Sequence, residues 1–166
     1  MKRLLVMVLV AVGISASAVA GAADFTSWRT ANGSVIQKNG LQYLQAGRAN
    51  ILEPAALKAN LNDGNPLNDP LLLDVRFEAD YAMGKIPGAI RIVDFDKMLL
   101  EENLEKLDEM LAAHISATGN DDIVIYCHLG QMSGLLTGVL GSMGYDVKTL
   151  KLGYNMGWLM STMPMM

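Results

Sequence analysis

Beyond residue 50 the chain alternates short apolar runs with amphipathic stretches. "LLLDV" (Leu71–Val75) and "IVIY" (Ile123–Tyr126) are continuous apolar runs, too short for ordinary helices and suited to strands covered on both faces. "AIRIV" (Ala89–Val93) and Val147–Leu150 read as two further strands. The intervening segments read as helices. Glu53 and Pro54 introduce one that runs through Leu61, because proline is preorganised for the first helical position. "FEADYAM" (Phe77–Met83) forms a second, ended by Gly84. Leu100, Leu104, Leu107 and Leu111 recur at three- and four-residue spacing with acids between them, the pattern of a helix with an apolar stripe and a solvated face. Met132–Met143 is the last helix, and "NDGNPLNDP" (Asn62–Pro70), dense in turn formers, is a loop.

Strands alternating with helices predict an α/β fold: an open, mainly parallel sheet with helices on both faces. Ligands of such sheets bind at the carboxyl ends of the strands. No internal repeat is visible. Residues 24–50 form a polar, glycine-containing extension of unknown role, with a short helix expected around Leu41–Ala46.

Composition narrows the function classes. With 166 residues and 51% of them hydrophobic, the chain suffices for one domain with a substantial core. A formal charge of −4 without a long basic tract gives nucleic acid or an anionic membrane no electrostatic footing. The opening "MKRLLVMVLVAVGISASAVAGAAD" joins Lys2 and Arg3 to an apolar run and then to small residues, the layout of an export signal over residues 1–23, with cleavage near Ala20 or Ala23. Removing Lys2 and Arg3 from the 13 basic residues leaves 11 against 17 acids, a mature charge of −6. The competing expectation is an uncleaved helix tethering the chain to a membrane; the alanine-rich exit favours cleavage, no stable membrane insertion afterwards and a periplasmic location.

Export sharpens the question of Cys127, the only cysteine. In an oxidising compartment a structural thiol is normally paired, and this one has no partner in its own chain. It immediately follows the "IVIY" strand, where a ligand is expected, and precedes a helix rich in small residues. Gly130 and Gly134 let the backbone of "HLGQMSG" curl so that several N–H groups face one point, a nest that binds anions. Such a nest lowers a thiol pKa and makes the nucleophilic thiolate available.

These segments resemble the single-domain rhodaneses of the exported type, the rhodanese-like sulfurtransferases. "LLLDVRFEADYAMGKIPGAIRI" is similar to the family's Asp-Val-Arg segment and the Gly-x-Ile-Pro-Gly-Ala turn that follows it. "IVIYCHLGQMSGLLTGVLGSMGY" resembles its strand, active-site loop and helix, and "LKLGYNMGW" its closing glycine and tryptophan segment. The resemblance spans about Ile51 to Met160 and implies a rhodanese-like domain over residues 51–166. It implies that Cys127 accepts a sulfane sulfur as a persulfide and that His128, Leu129, Gly130, Gln131, Met132 and Ser133 surround the substrate. The same resemblance makes Asp74 and Arg76 a structural pair fixing the strand end. No metal or organic cofactor is implied. The implied partners are a small sulfur-containing anion or a persulfide as donor, a thiol or cyanide as acceptor, and a protein that exchanges sulfur.

One departure bears on the donor. Many relatives carry arginine where this chain has Met132, so weak thiosulfate turnover and a less charged persulfide donor are expected. His128 is either a simple hydrogen-bonding side chain or a catalytic acid. Related cysteine phosphatases clamp their oxyanion with a loop arginine, which Met132 and Ser133 do not supply. A second reading is a catalytically weak or silent rhodanese-like module that binds a partner or carries sulfur. A third concerns Met156, Met160, Met163, Met165 and Met166, whose thioethers suit Cu(I), although Met156 and Met160 are also spaced to pack as core.

Overall fold

The computed structural model describes residues 37–45 and 50–162. The expected export signal and most of the amino-terminal extension lie outside the described residues. Four parallel strands form one sheet in the order β1-β4-β3-β2: β1 (Ile51–Leu52), β2 (Leu71–Asp74), β3 (Ile123–Tyr126) and β4 (Val147–Leu150). Leu71 pairs with Ile123 and Asp74 with Tyr126, so β2 and β3 end together at the edge from which Cys127 emerges. The two-residue strand β1 had no readable pattern, since two residues carry no periodicity.

Both faces of the sheet are covered, as the apolar runs required. On one face Leu71, Leu73, Val75, Ile123, Ile125 and Val147 pack against Leu104 and Leu107 of α4 (Glu101–Thr118) and Leu136 and Leu140 of α5 (Gln131–Met143). On the other, Leu72, Val124, Tyr126 and Leu150 meet Leu57 of α2 (Pro54–Leu61), Ile86 and Trp158. Neighbouring residues of β2 thus serve opposite cores, the period-two geometry of a strand. Each fully buried leucine or isoleucine contributes about 1.5–3 kcal/mol. Helix α3 (Glu78–Met83) starts after Phe77 and stops at Gly84.

Three expectations need correction. "AIRIV" is not a strand: Ile90 makes a single bridge, donating its N–H to Leu72 O and accepting from Asp74 N–H, both at 2.9 Å. The ladder stops there because Arg91 turns its side chain to Arg76 O and to the Asp94 carboxylate, and the chain leaves for a 3-10 turn at Phe95–Lys97. Leu100 is not part of the α4 stripe. It is the extended residue before the helix and is exposed, while Leu104 and Leu107 are buried. Met156 and Met160 do not pack as core. Residues Gly153–Leu159 wind as a π-helix, which turns Trp158 inward and leaves both methionines about half exposed. Met163, Met165 and Met166 lie outside the described residues.

The short helix expected around Leu41–Ala46 is present as α1, residues 37–45. Its Tyr43 ring lies against the backbone of Gly141 on α5, so closely that a Cβ at Gly141 would sit 2.3 Å from a ring carbon. Asn50 donates its amide to Tyr43 O at 2.7 Å and ties the helix end to the start of the domain. The extension therefore helps cover α5. Gly141→Ala is expected to displace Tyr43 while favouring α5 itself by about 0.5–1 kcal/mol of helix propensity. Amide exchange in residues 37–45 should accelerate with the sheet unchanged; protection retained there would show that the contact does not hold α1.

Candidate active site

The site is built where β3 ends. Cys127 is 5% exposed and forms the floor of a cavity of about 510 Å³ whose lining includes Val75, Phe77, Phe95, Asp96, His128 and Met132. After Cys127 the chain curls through Gly130, held at φ 89° as the residue preceding α5. That left-handed conformation is open to glycine without steric cost. It brings Gly130 N–H to 3.2 Å from Cys127 Sγ, and the first turn of α5 brings Ser133 N–H and the Ser133 hydroxyl each to 3.5 Å. These amides are among the unpaired donors of a helix N-terminus, and here they point at sulfur. Burial pushes the Cys127 thiol up, but the Ser133 N–H and hydroxyl and the Leu129 and Gly130 N–H groups outweigh it, and the net shift is downward.

Ser133 is fully buried, and its hydroxyl lies 2.8 Å from Thr149 Oγ1 of β4. Thr149, absent from the sequence-based set, thus orients the serine that faces the thiol. Nothing in the linear pattern flagged it, since a threonine in "VKTL" reads as an ordinary strand residue.

The loop is fixed from behind by the closing segment. Tyr154 N–H donates to Cys127 O at 2.8 Å and Asn155 N–H to His128 O at 2.9 Å. Leu152 and Gly153 both adopt positive φ, 60° and 59°, to reach this position. A Cβ on Gly153 would lie 2.4 Å from Cys127 O and 2.7 Å from Gly130 N, so two backbones meet where only glycine fits.

Asp74 and Arg76 stand at the end of β2, and Arg76 lines the same cavity as Cys127. Both are buried, and Asp74 takes the Arg76 guanidinium through Nε at 2.9 Å and Nη2 at 2.5 Å while also accepting the Arg76 backbone N–H. The same guanidinium donates to Gly84 O at 2.6 Å and stacks 4.0 Å from the Tyr154 ring centroid. It joins the end of β2, the end of α3 and the closing segment. His128 has a partner that the sequence did not reveal: its Nε2 lies 3.2 Å from Asp80 Oδ2 of α3. Leu129 and Met132 are about half exposed, Met132 lines the cavity and Gln131 opens α5.

Among the described residues, the one carboxylate group close enough to share a cation is Asp121, Asp122 and Asp146. It lies at the amino ends of β3 and β4, opposite the thiol, and Lys148 Nζ donates to Asp122 at 2.7 Å. No helix among the described residues is long and apolar enough to cross a membrane.

The rhodanese-like domain model matches residues 53–159. The chain belongs to this family. No curated protein matches it. Among solved structures, the Alr3790 protein from Anabaena sp. is 24% identical with a TM-score of 0.52, covering 68% of this chain and 79% of that one. Ygr203w from Saccharomyces cerevisiae, described as a homolog of single-domain rhodanese and the Cdc25 phosphatase catalytic domain, is 19% identical with a TM-score of 0.50 over 65% of this chain and 78% of its own. CoADR-RHD from Bacillus anthracis is 24% identical with a TM-score of 0.48; the match covers 64% of this chain but 16% of that protein's length. The likenesses to Alr3790 and Ygr203w show the fold.

Two outcomes follow from the rhodanese-like loop. Ser133→Ala removes one donor from sulfur, so the thiol pKa should rise and the midpoint of the alkylation rate against pH should move to higher pH; an unchanged midpoint would leave the N–H groups as the only acting donors. Gly153→Ala should cost about 1–3 kcal/mol of stability, the scale of a strained backbone position, and slow alkylation of Cys127 at neutral pH. Thermal melting together with the alkylation rate checks both effects.

Proposed function

We propose that the protein is a sulfurtransferase that moves a sulfane sulfur from a persulfide donor to a thiol acceptor through a persulfide on Cys127. The observation that carries this reading is the set of Gly130 and Ser133 donors on Cys127 Sγ, with the thiol's downward shift. In the first half-reaction the Cys127 thiolate attacks the outer sulfur of R–S–SH. A new S–S bond forms, the donor's S–S bond breaks, and its electron pair departs on the inner sulfur as R–S⁻. In the second, an acceptor thiolate attacks the outer sulfur of the Cys127 persulfide and the enzyme thiolate leaves. The loop N–H groups face an anionic sulfur at the start and end of each half-reaction, so they stabilise charge without rearranging.

Thiosulfate is a weaker donor in this reading. Its leaving group is sulfite, a dianion, and "CHLGQMS" contains neither lysine nor arginine. Arg76, the cation nearest in sequence along the cavity lining, is 4% exposed and bound to Asp74. The same shortage disfavours phosphoryl transfer, in which an arginine fork holds the oxyanion. In keeping with the reading of residues 1–23 as an export signal, the activity belongs to the periplasm.

Incubation with a persulfide donor should add one sulfur to the intact protein's mass, and cyanide should remove it. Cys127→Ser should show neither change and lose sulfur transfer entirely. Wild-type protein that gains no sulfur while its thiol still alkylates at neutral pH would favour a silent binding module instead.

A further inference from the structure

The charges around the thiol point to one class of sulfur substrate. Three ionisable side chains line the cavity with Cys127: Arg76, His128 and Asp96. Arg76 is neutralised by Asp74, with which it shares three side-chain hydrogen bonds, and is turned away into the protein. His128 lies 3.2 Å from Asp80, so that pair is neutral when the imidazole is protonated and negative when it is not. Asp96, on the Phe95–Lys97 turn, is exposed, and among the described residues its carboxylate has no hydrogen-bond or ion-pair partner. The rest of the wall is apolar: Val75, Phe77, Phe95 and Met132. The unpaired Asp96 carboxylate on the wall, joined by Cys127 once it ionises to react, makes the cavity negative, and its apolar sides strengthen the field on any ion that enters.

We propose that the donor and acceptor of this site are thiols carrying a positive charge, of the aminoalkyl-thiol class and its persulfides, with the ammonium held by Asp96. The inference rests on the sulfurtransferase reading above and adds to it the charge of the substrate. The thiol that leaves in the first half-reaction and the thiol that enters in the second occupy the same place, by microscopic reversibility, so one charge preference governs both. Each half exchanges one S–S bond for another; the sulfhydryl proton travels with the transferred sulfur, and the ammonium takes no part in bond making. Its role is to offset the negative charge that R–S⁻ brings beside Cys127 and Asp96. An anionic thiol lacks that offset and meets repulsion from the same groups.

The test uses the full protein, loaded at Cys127 with one sulfur and confirmed by mass. It is presented with three acceptors of similar size: cysteamine, 2-mercaptoethanol and mercaptoacetate. Transfer rates are corrected for the thiolate fraction of each acceptor. The expected order is cysteamine, then 2-mercaptoethanol, then mercaptoacetate, with about tenfold between the first and last. Asp96→Asn should bring the cysteamine to 2-mercaptoethanol ratio close to one, and Asp96→Lys should reverse the order, with melting temperatures establishing that both variants are folded. Equal rates for the three acceptors, or a preference for mercaptoacetate in the wild type, would overturn the charge assignment while leaving sulfur transfer intact. Unchanged ratios in both Asp96 variants would remove Asp96 from it. A Cys127 that never takes up sulfur would remove the assignment together with the reading it rests on.

Discussion

The site depends on one constraint: backbone N–H groups from two consecutive turns must converge on a single sulfur atom. Gly130 N–H at 3.2 Å and Ser133 N–H at 3.5 Å reach Cys127 Sγ only if the chain reverses within three residues and enters α5 at once. The reversal requires the left-handed conformation at Gly130, and Gly130 in turn leaves room for the closing segment to pass. Gly153 meets that loop backbone to backbone, and the two hydrogen bonds from Tyr154 and Asn155 lock the carbonyls of Cys127 and His128 outward. With those carbonyls engaged behind the loop, its N–H groups are left facing the thiol. The electrostatics of the sulfur are thus set by a contact between segments more than twenty residues apart in the chain.

The Asp74–Arg76 pair serves the same constraint from below. A buried ion pair contributes little net stability against a hydrophobic replacement, because both ions lose their hydration, but removing one partner strands a charge at a cost of about 3–5 kcal/mol. Here the pair also has a positional effect. Arg76 reaches Gly84 O and the face of Tyr154, so the strand end, the α3 terminus and the closing segment share one cation. Each of these segments touches the loop or the cavity. Its burial explains why this arginine, though next to the site, is not available to a substrate.

Much of this was legible in the sequence, for identifiable reasons. β2 and β3 were visible because strands buried on both faces read as unbroken apolar runs, and Cys127 was visible because it follows such a run and precedes glycine. The nest was read from Gly130 and Gly134 themselves, whereas the Asp74–Arg76 pair and the substrate-facing roles of the loop residues came from resemblance. What stayed hidden was long-range or side-chain geometry. Thr149 behind Ser133 and Asp80 beside His128 are polar residues whose role exists only once β4 and α3 are brought to the loop. "AIRIV" looked like a strand because alternation does not reveal that Arg91 will prefer Arg76 O and Asp94 to a ladder. Met156 and Met160 were misassigned because their spacing fits an α-helix, whereas the segment winds as a π-helix and shifts which residues face inward.

Among the described residues no free cation lines the cavity beside Cys127, which suits the proposed transfer of sulfur. Burial and the loop donors act on the thiol in opposite directions, and their balance lowers it. A neighbouring lysine or arginine would deepen the thiolate further, yet nucleophilicity falls as the thiol pKa falls, with a Brønsted slope of about 0.4–0.5, and the best attacking thiol titrates near ambient pH. Amide dipoles also differ from a mobile cation in what they do after the attack. They are fixed by the fold, so in the proposed reaction they need no rearrangement between the two half-reactions. In the proposed reaction, selectivity then falls to groups farther out along the wall, which line the cavity without reaching the sulfur. Asp96 and the apolar ring of Phe77, Phe95 and Met132 occupy that position. In the proposed reaction, reactivity rests on the backbone at the floor of the cavity, and the choice of partner on side chains at its sides.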